Sequence, residues 1–163
     1  MLYLLDANVM IRAHEDYYPI DRIPQFWTWL AALGEAGAAK VPYEIYGEIA
    51  VSTGPLHDWL TDAAISKAIL FDQKIDPANL NLVLTQGYAS DLNDSEIEEI
   101  GQDPFLIGYA LADVANFTVV TKEVSAPSKQ RANRRVPDVC KTFGIRSIND
   151  FEFYRELNFK IGS

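Results

Sequence analysis

Leu2-Tyr3-Leu4-Leu5 is an unbroken apolar run that ends abruptly at Asp6. A strand apolar at every position is buried on both faces, the condition of a strand in a parallel sheet covered by helices on each side. The run is too short for the apolar region of a signal peptide. No later segment approaches the about 20 apolar residues of a membrane span. These features predict one cytoplasmic domain over 1–163, with no membrane association. A lone Cys140 cannot close an internal disulfide, and no CxxC or HxxxH pair offers a structural zinc site, which fits a reducing compartment.

Strand-like and helix-like segments then alternate. Pro24 to Leu33 carries apolar residues at helical spacing and stops at Gly34–Gly37; Ala38 to Val41 reads as a strand, and Tyr43 to Val51 as a helix behind Pro42. Helices are expected near 56–65, over 77–89 and after Asp94 or Ser95, while 67–72 fits a short strand or a helical extension. Asp103-Pro104 starts a helix reaching about Ala115, and Phe117 to Thr121 is a β-branched strand. A basic loop follows, then a helix from Pro137 to Phe143, a strand at Ile145–Ile148 and a last helix from Asn149. This alternation predicts an α/β fold with an open, mostly parallel central sheet and helices on both faces.

In such sheets the functional crevice lies beyond the carboxyl ends of the strands. Few of the 23 acids stand there. Asp6 follows the first strand directly, and Glu123 follows the Phe117 strand. Glu44 and Glu48 share one face of the helix after the second strand, and Asp103 opens the helix that feeds the Phe117 strand. Simpler explanations exist for most of them: Asp103 as a helix cap, Glu44 and Glu48 as a solvated face, Glu123 as the start of a polar loop. Asp6 is harder to explain so, because a charge straight after a buried strand is costly without a partner. Carboxylates held together repel one another, so their grouping makes physical sense around a hard divalent cation such as Mg²⁺ or Mn²⁺. Such ions serve phosphoryl transfer and hydrolysis.

A net charge of -9 opposes nucleic-acid binding at first sight, but five of the 14 basic residues (Lys122, Lys129, Arg131, Arg134, Arg135) fall between 122 and 135, where Glu123 is the only acid. Lys129, Arg131, Arg134 and Arg135 either hold an RNA backbone or belong to a solvated loop. Tyr17, Tyr18, Phe26, Trp27 and Trp29 either stack bases or form core or an interface. His14 and His57 have no ligand spacing, and Cys140 is expected to pack inside its helix.

Together LLDANV (4–9), VPYEIYGEI (41–49), DPFLIGYALA (103–112) and VVTKE (119–123), with the ending VPDVCKTFGIRSINDF (136–151), resemble the PIN-domain nucleases, the fold of the VapC-type toxins. The resemblance covers nearly the whole chain and includes an uncharacterised PIN-like subgroup with this ending. It implies a PIN-like α/β/α sandwich and a metal-dependent endoribonuclease, in which Asp6, Glu48, Asp103 and Glu123 hold one or two Mg²⁺ or Mn²⁺ ions. Glu44 is the alternative second acid, and Asn8 and Thr121 are the groups that orient ligands or water. It also implies a toxin–antitoxin system, with RNA as substrate, a cognate antitoxin as partner, and a homodimer. Two features depart from the pattern: the fourth acid is Glu where many relatives carry Asp, and the chain beyond it runs on into the basic stretch SKQRANRR. Competing readings are a PIN-like binding module without turnover and a small phosphatase or receiver domain. The phosphatase needs Asp-x-Asp after its first strand, where this chain has Asp6-Ala7-Asn8.

Overall fold

β1 (Leu2–Leu5) lies at the centre of a five-stranded sheet in the computed structural model, which describes residues 1–162. Its last three residues are buried, as an all-apolar strand requires. Asp6 caps α1 (Ala7–Arg12), which loosens into a π-helical turn at Ala13–Tyr17. α2 (Pro24–Glu35) starts on a proline at its first position and sends Phe26, Trp27 and Leu30 inward. β2 (Ala39–Pro42) and α3 (Tyr43–Ala50) follow without an intervening loop.

The region of weakest periodicity resolves into α4 (Pro55–Thr61), α5 (Ala63–Ile69) and the two-residue β3 (Leu70–Phe71). The single helix expected near 56–65 is broken at Asp62, whose extended backbone (ψ 134°) ends one helix while its carboxylate accepts from Ala64 and Ile65 to begin the next. Both alternatives for 67–72 are realised in turn. α6 (Pro77–Leu82) widens into a π-helical segment at Val83–Tyr88, and α7 (Asp94–Ile100) is opened by a capping box of Asn93 and Glu96. α8 (Asp103–Leu111) stops short of the expected Ala115 and yields through turns to β4 (Phe117–Val120). α9 (Val136–Thr142), β5 (Arg146–Ile148) and α10 (Asp150–Glu156) complete the chain, the last opened by a capping box of Asn149 and Glu152.

The strand order is β3-β2-β1-β4-β5 and every pairing is parallel. The chain builds outward from β1 through β2 to β3, then crosses back to place β4 on the other side of β1. The order therefore reverses between β1 and β4, and a crevice opens beyond their carboxyl ends. α8 packs across β1, β2 and β4. Phe153 of α10 meets Tyr3 at 5.4 Å and Trp29 of α2 at 5.7 Å between ring centres. The result is an α/β/α sandwich. No helix among the described residues is long and apolar enough to cross a membrane.

Candidate active site

The β1 and β4 pairing runs in register from Leu2–Phe117 to Leu5–Val120, so Asp6 and Thr121 emerge side by side at the reversal point. Asp6 is only 4 % exposed. Its Oδ1 accepts from the Ala7 amide at 2.8 Å, and its Oδ2 accepts from the Thr121 hydroxyl at 2.8 Å and the Asn8 amide at 3.3 Å. Asn8 in turn accepts from the Lys122 backbone N–H at 3.0 Å, and Thr121 Oγ1 accepts from the Glu123 backbone N–H at 3.1 Å. Asn8 and Thr121 thus fix the orientation of Asp6.

Glu123 does not drift away with the basic loop. Its Oε2 accepts from the Val136 backbone N–H at 2.7 Å, so the first residue of α9 ties it back to the crevice. The loop between them is folded against α9 rather than free: Asp138 accepts from the Ser125 hydroxyl and from the Ala126 amide at 2.8 Å.

Asp103 is the first residue of α8, and the residue in the capping position is Gln102, which makes no side-chain cap. The capping explanation for Asp103 is therefore not met. Burial pushes its carboxyl up to about 8, helped by the charges of Asp6, Glu123 and Glu48. Asp6 is pushed up to about 6, first by burial and then by Glu123 and Glu48, against the opposing pull of Thr121 and Ala7. Glu48 stands exposed at the rim, and burial of its carboxyl end raises it while the Gln102 backbone lowers it. Asp6, Glu48, Asp103 and Glu123 thus come from four separate segments and share one electrostatic neighbourhood.

Glu44 belongs elsewhere. Its carboxylate accepts from the Tyr109 hydroxyl at 2.6 and 3.0 Å and lines a different surface with Tyr43, Asp72 and Lys74. One turn of helix separates it from Glu48, enough to aim the two at different neighbours.

The basic residues divide. Arg131, with φ 55°, pairs with Asp91 at 2.7 Å and Glu96 at 2.9 Å, fastening the loop to α7. Arg134 donates to the Gly87 and Asp138 carbonyls and to Thr142. These two hold the loop in place rather than standing free for a backbone phosphate. Lys129 and Arg135 are exposed and line a cavity of about 180 Å³ with Asp103, Glu123, Asn133 and Tyr88. Tyr88 had no signal in the sequence, where it sits at the end of an ordinary helical pattern.

The aromatic run is mainly core: Phe26 and Trp27 are each 1 % exposed, and Phe26 stacks on Tyr18 at 4.7 Å. Cys140 is buried, and burial raises its thiol to about 12.

The hard oxygen donors of the crevice suit a divalent cation of the Mg²⁺ class. Their side chains are not gathered into a cage: among the described residues no three of His, Cys, Asp and Glu are grouped so as to hold a metal.

A family model described as "Domain of unknown function (DUF4411)" matches residues 3–161. No curated protein and no solved structure matches the chain.

Proposed function

We propose that this chain, which belongs to the DUF4411 family, is a PIN-like metal-dependent endoribonuclease. The observation that supports the reading is that Asp6, Glu48, Asp103 and Glu123, from four segments, lie near enough for their charges to act on one another where the sheet order reverses, without being gathered into a cage. A partly buried carboxyl raised to about 8, first by desolvation and then by the charges of its neighbours, is poorly placed for stability, and such groups concentrate at functional sites.

In this reading the acids would hold one or two Mg²⁺ or Mn²⁺ ions, which supply polarisation of the phosphoryl oxygen and activation of water. Asp6, which accepts from Thr121, Asn8 and Ala7, is the most firmly hydrogen-bonded of the four. Glu123, tethered through Val136, brings the β4 side to the crevice. Glu48, exposed and on the longer side chain, closes the set from the α3 side. Lys129 and Arg135 bind the RNA backbone beside the acids. The toxin role, the antitoxin partner, the homodimer and the cytoplasmic setting are proposed with the PIN-like reading and rest on the motif resemblance.

Purified protein is expected to cleave single-stranded RNA with Mg²⁺ or Mn²⁺ and not with EDTA, and Asp6→Ala to abolish cleavage while leaving the circular dichroism spectrum intact. EDTA-resistant cleavage, or an active Asp6→Ala protein, would overturn the proposal. A second reading, a PIN-like binding module without turnover, draws on the absence of a preassembled acid cage among the described residues. It predicts RNA or protein binding that is indifferent to metal.

A further inference from the structure

The cavity beside the acids contains one group that metal binding leaves unused. Tyr88 is 7 % exposed, and its hydroxyl, shut off from solvent, has no hydrogen-bond partner. An unpaired buried hydroxyl costs stability, so folded proteins rarely keep one without a reason. Tyr88 is also the last residue of the π-helical segment Val83–Tyr88. Widened turns of this kind re-aim side chains and recur at functional sites. Here the tyrosine lines a cavity of about 180 Å³, with Glu99, Asp103 and Glu123 on its acidic side and Lys129, Asn133 and Arg135 among the other walls. That volume has room for a few waters or one small tetrahedral anion.

The cationic wall is available. Lys129 and Arg135 form no ion pair among the described residues, whereas Arg131 and Arg134 are committed to the loop. A buried phenol with an unused O–H donor, beside two unspent cations and an amide, is a donor set for oxyanions.

We propose that this cavity is a phosphate-binding subsite, in which Tyr88 turns its unpaired hydroxyl outward to donate to a phosphoryl oxygen whose charge Lys129 and Arg135 offset. The identity of the ligand as RNA rests on the ribonuclease reading; the binding of phosphate does not. The subsite holds a phosphate of the strand next to the one at the acids, which fixes the register of the strand.

The test follows backbone amide shifts of the full chain during titration with inorganic phosphate in the presence of Mg²⁺, for wild type, Tyr88→Phe and Arg135→Gln. Saturable shifts are expected at Tyr88, Asn133 and Arg135, with affinity weakened roughly ten-fold by either substitution, the effect of one lost charge-assisted hydrogen bond. Tyr88→Phe is expected to melt at the wild-type temperature or above, because no folded-state hydrogen bond is lost. A tyrosine with a merely structural role would lower the melting temperature and leave phosphate binding intact. That result, or no saturable shift at those amides, overturns the subsite. Short single-stranded RNAs with a 5′-phosphate or a 5′-hydroxyl then distinguish the source. Tighter binding of the phosphorylated strand assigns the cavity to a chain end, and equal binding assigns it to an internal diester. In both arms the loss in Tyr88→Phe must persist, and its disappearance overturns the proposal. Phosphate binding without metal-dependent cleavage would sink the ribonuclease reading alone, and cleavage without phosphate binding would sink the subsite alone.

Discussion

At the scale of single residues the account turns on how Asp6 is held. Thr121 and Asn8 both donate to its Oδ2, and each also ties into the chain beyond β4, so they act as a latch between β1 and β4. Removing either partner leaves the carboxylate in place but less well oriented. Thr121→Val or Asn8→Ala is therefore expected to lower metal affinity or cleavage roughly 10- to 100-fold with the fold retained, measured by calorimetric Mn²⁺ titration and RNA cleavage. An unchanged affinity and rate would show that the latch is only structural. The sequence made Asp6 legible because a charge after an apolar strand is expensive. It made Asn8 and Thr121 legible only through the motif. Glu44 and Glu48 could not be separated by periodicity, since residues four apart share a helix face; the choice was made by Tyr109, which takes Glu44. Tyr88 was invisible because its aim depends on a π-helical segment that no spacing announces.

At the scale of elements, close packing between α2 and α5 is a point of little tolerance. A Cβ on Gly34 would stand 2.6 Å from the Ala68 carbonyl oxygen, a backbone atom that cannot step aside. Gly34→Ala is expected to destabilise the fold by about 1–3 kcal/mol in urea unfolding, without altering the acids. A neutral result would mean that α5 shifts readily. The same region shows why boundaries were hardest to read between 56 and 72. Asp62 ends α4 and caps α5 at once, and a local side-chain choice of this kind leaves little trace in apolar spacing. The strands were clearer: β1, β2, β4 and β5 all appear within one or two residues of their expected ends, and for β1 and β4 burial on both faces leaves a nearly continuous apolar record. α8 ended early for the opposite reason. Its apolar residues pack nearly all round, so their pattern does not mark the point where the turns before β4 begin.

At the scale of the whole molecule, the crevice links stability to pH. Asp6 and Asp103 are both raised in the folded state, from 3.8 to about 6 and about 8. The folded protein therefore binds more protons than the unfolded chain between these values, and stability falls as pH rises. Their contribution is complete below 3.8 and is lost as pH passes about 6 and then about 8, at up to about 1.4 kcal/mol per pH unit for each group. The metal-free protein is thus expected to melt at a lower temperature at pH 8 than at pH 5.5, and Asp103→Asn to flatten that slope. Mn²⁺, which needs ionised ligands, should raise the melting temperature more at pH 8 than at pH 5.5. A flat profile, or a metal effect larger at the lower pH, would contradict the coupling. With a net charge of -9 the whole chain repels RNA at long range, so on the proposed reading a local cation would be needed to make the acidic crevice compatible with phosphate. The most direct measurement is anomalous X-ray scattering from crystals grown with Mn²⁺. The account predicts a manganese peak within about 2.0–2.4 Å of carboxylate oxygens from Asp6 and at least one of Glu48, Asp103 and Glu123. Crystals that show no peak at the crevice, with the four carboxylates still apart at saturating Mn²⁺, would contradict it.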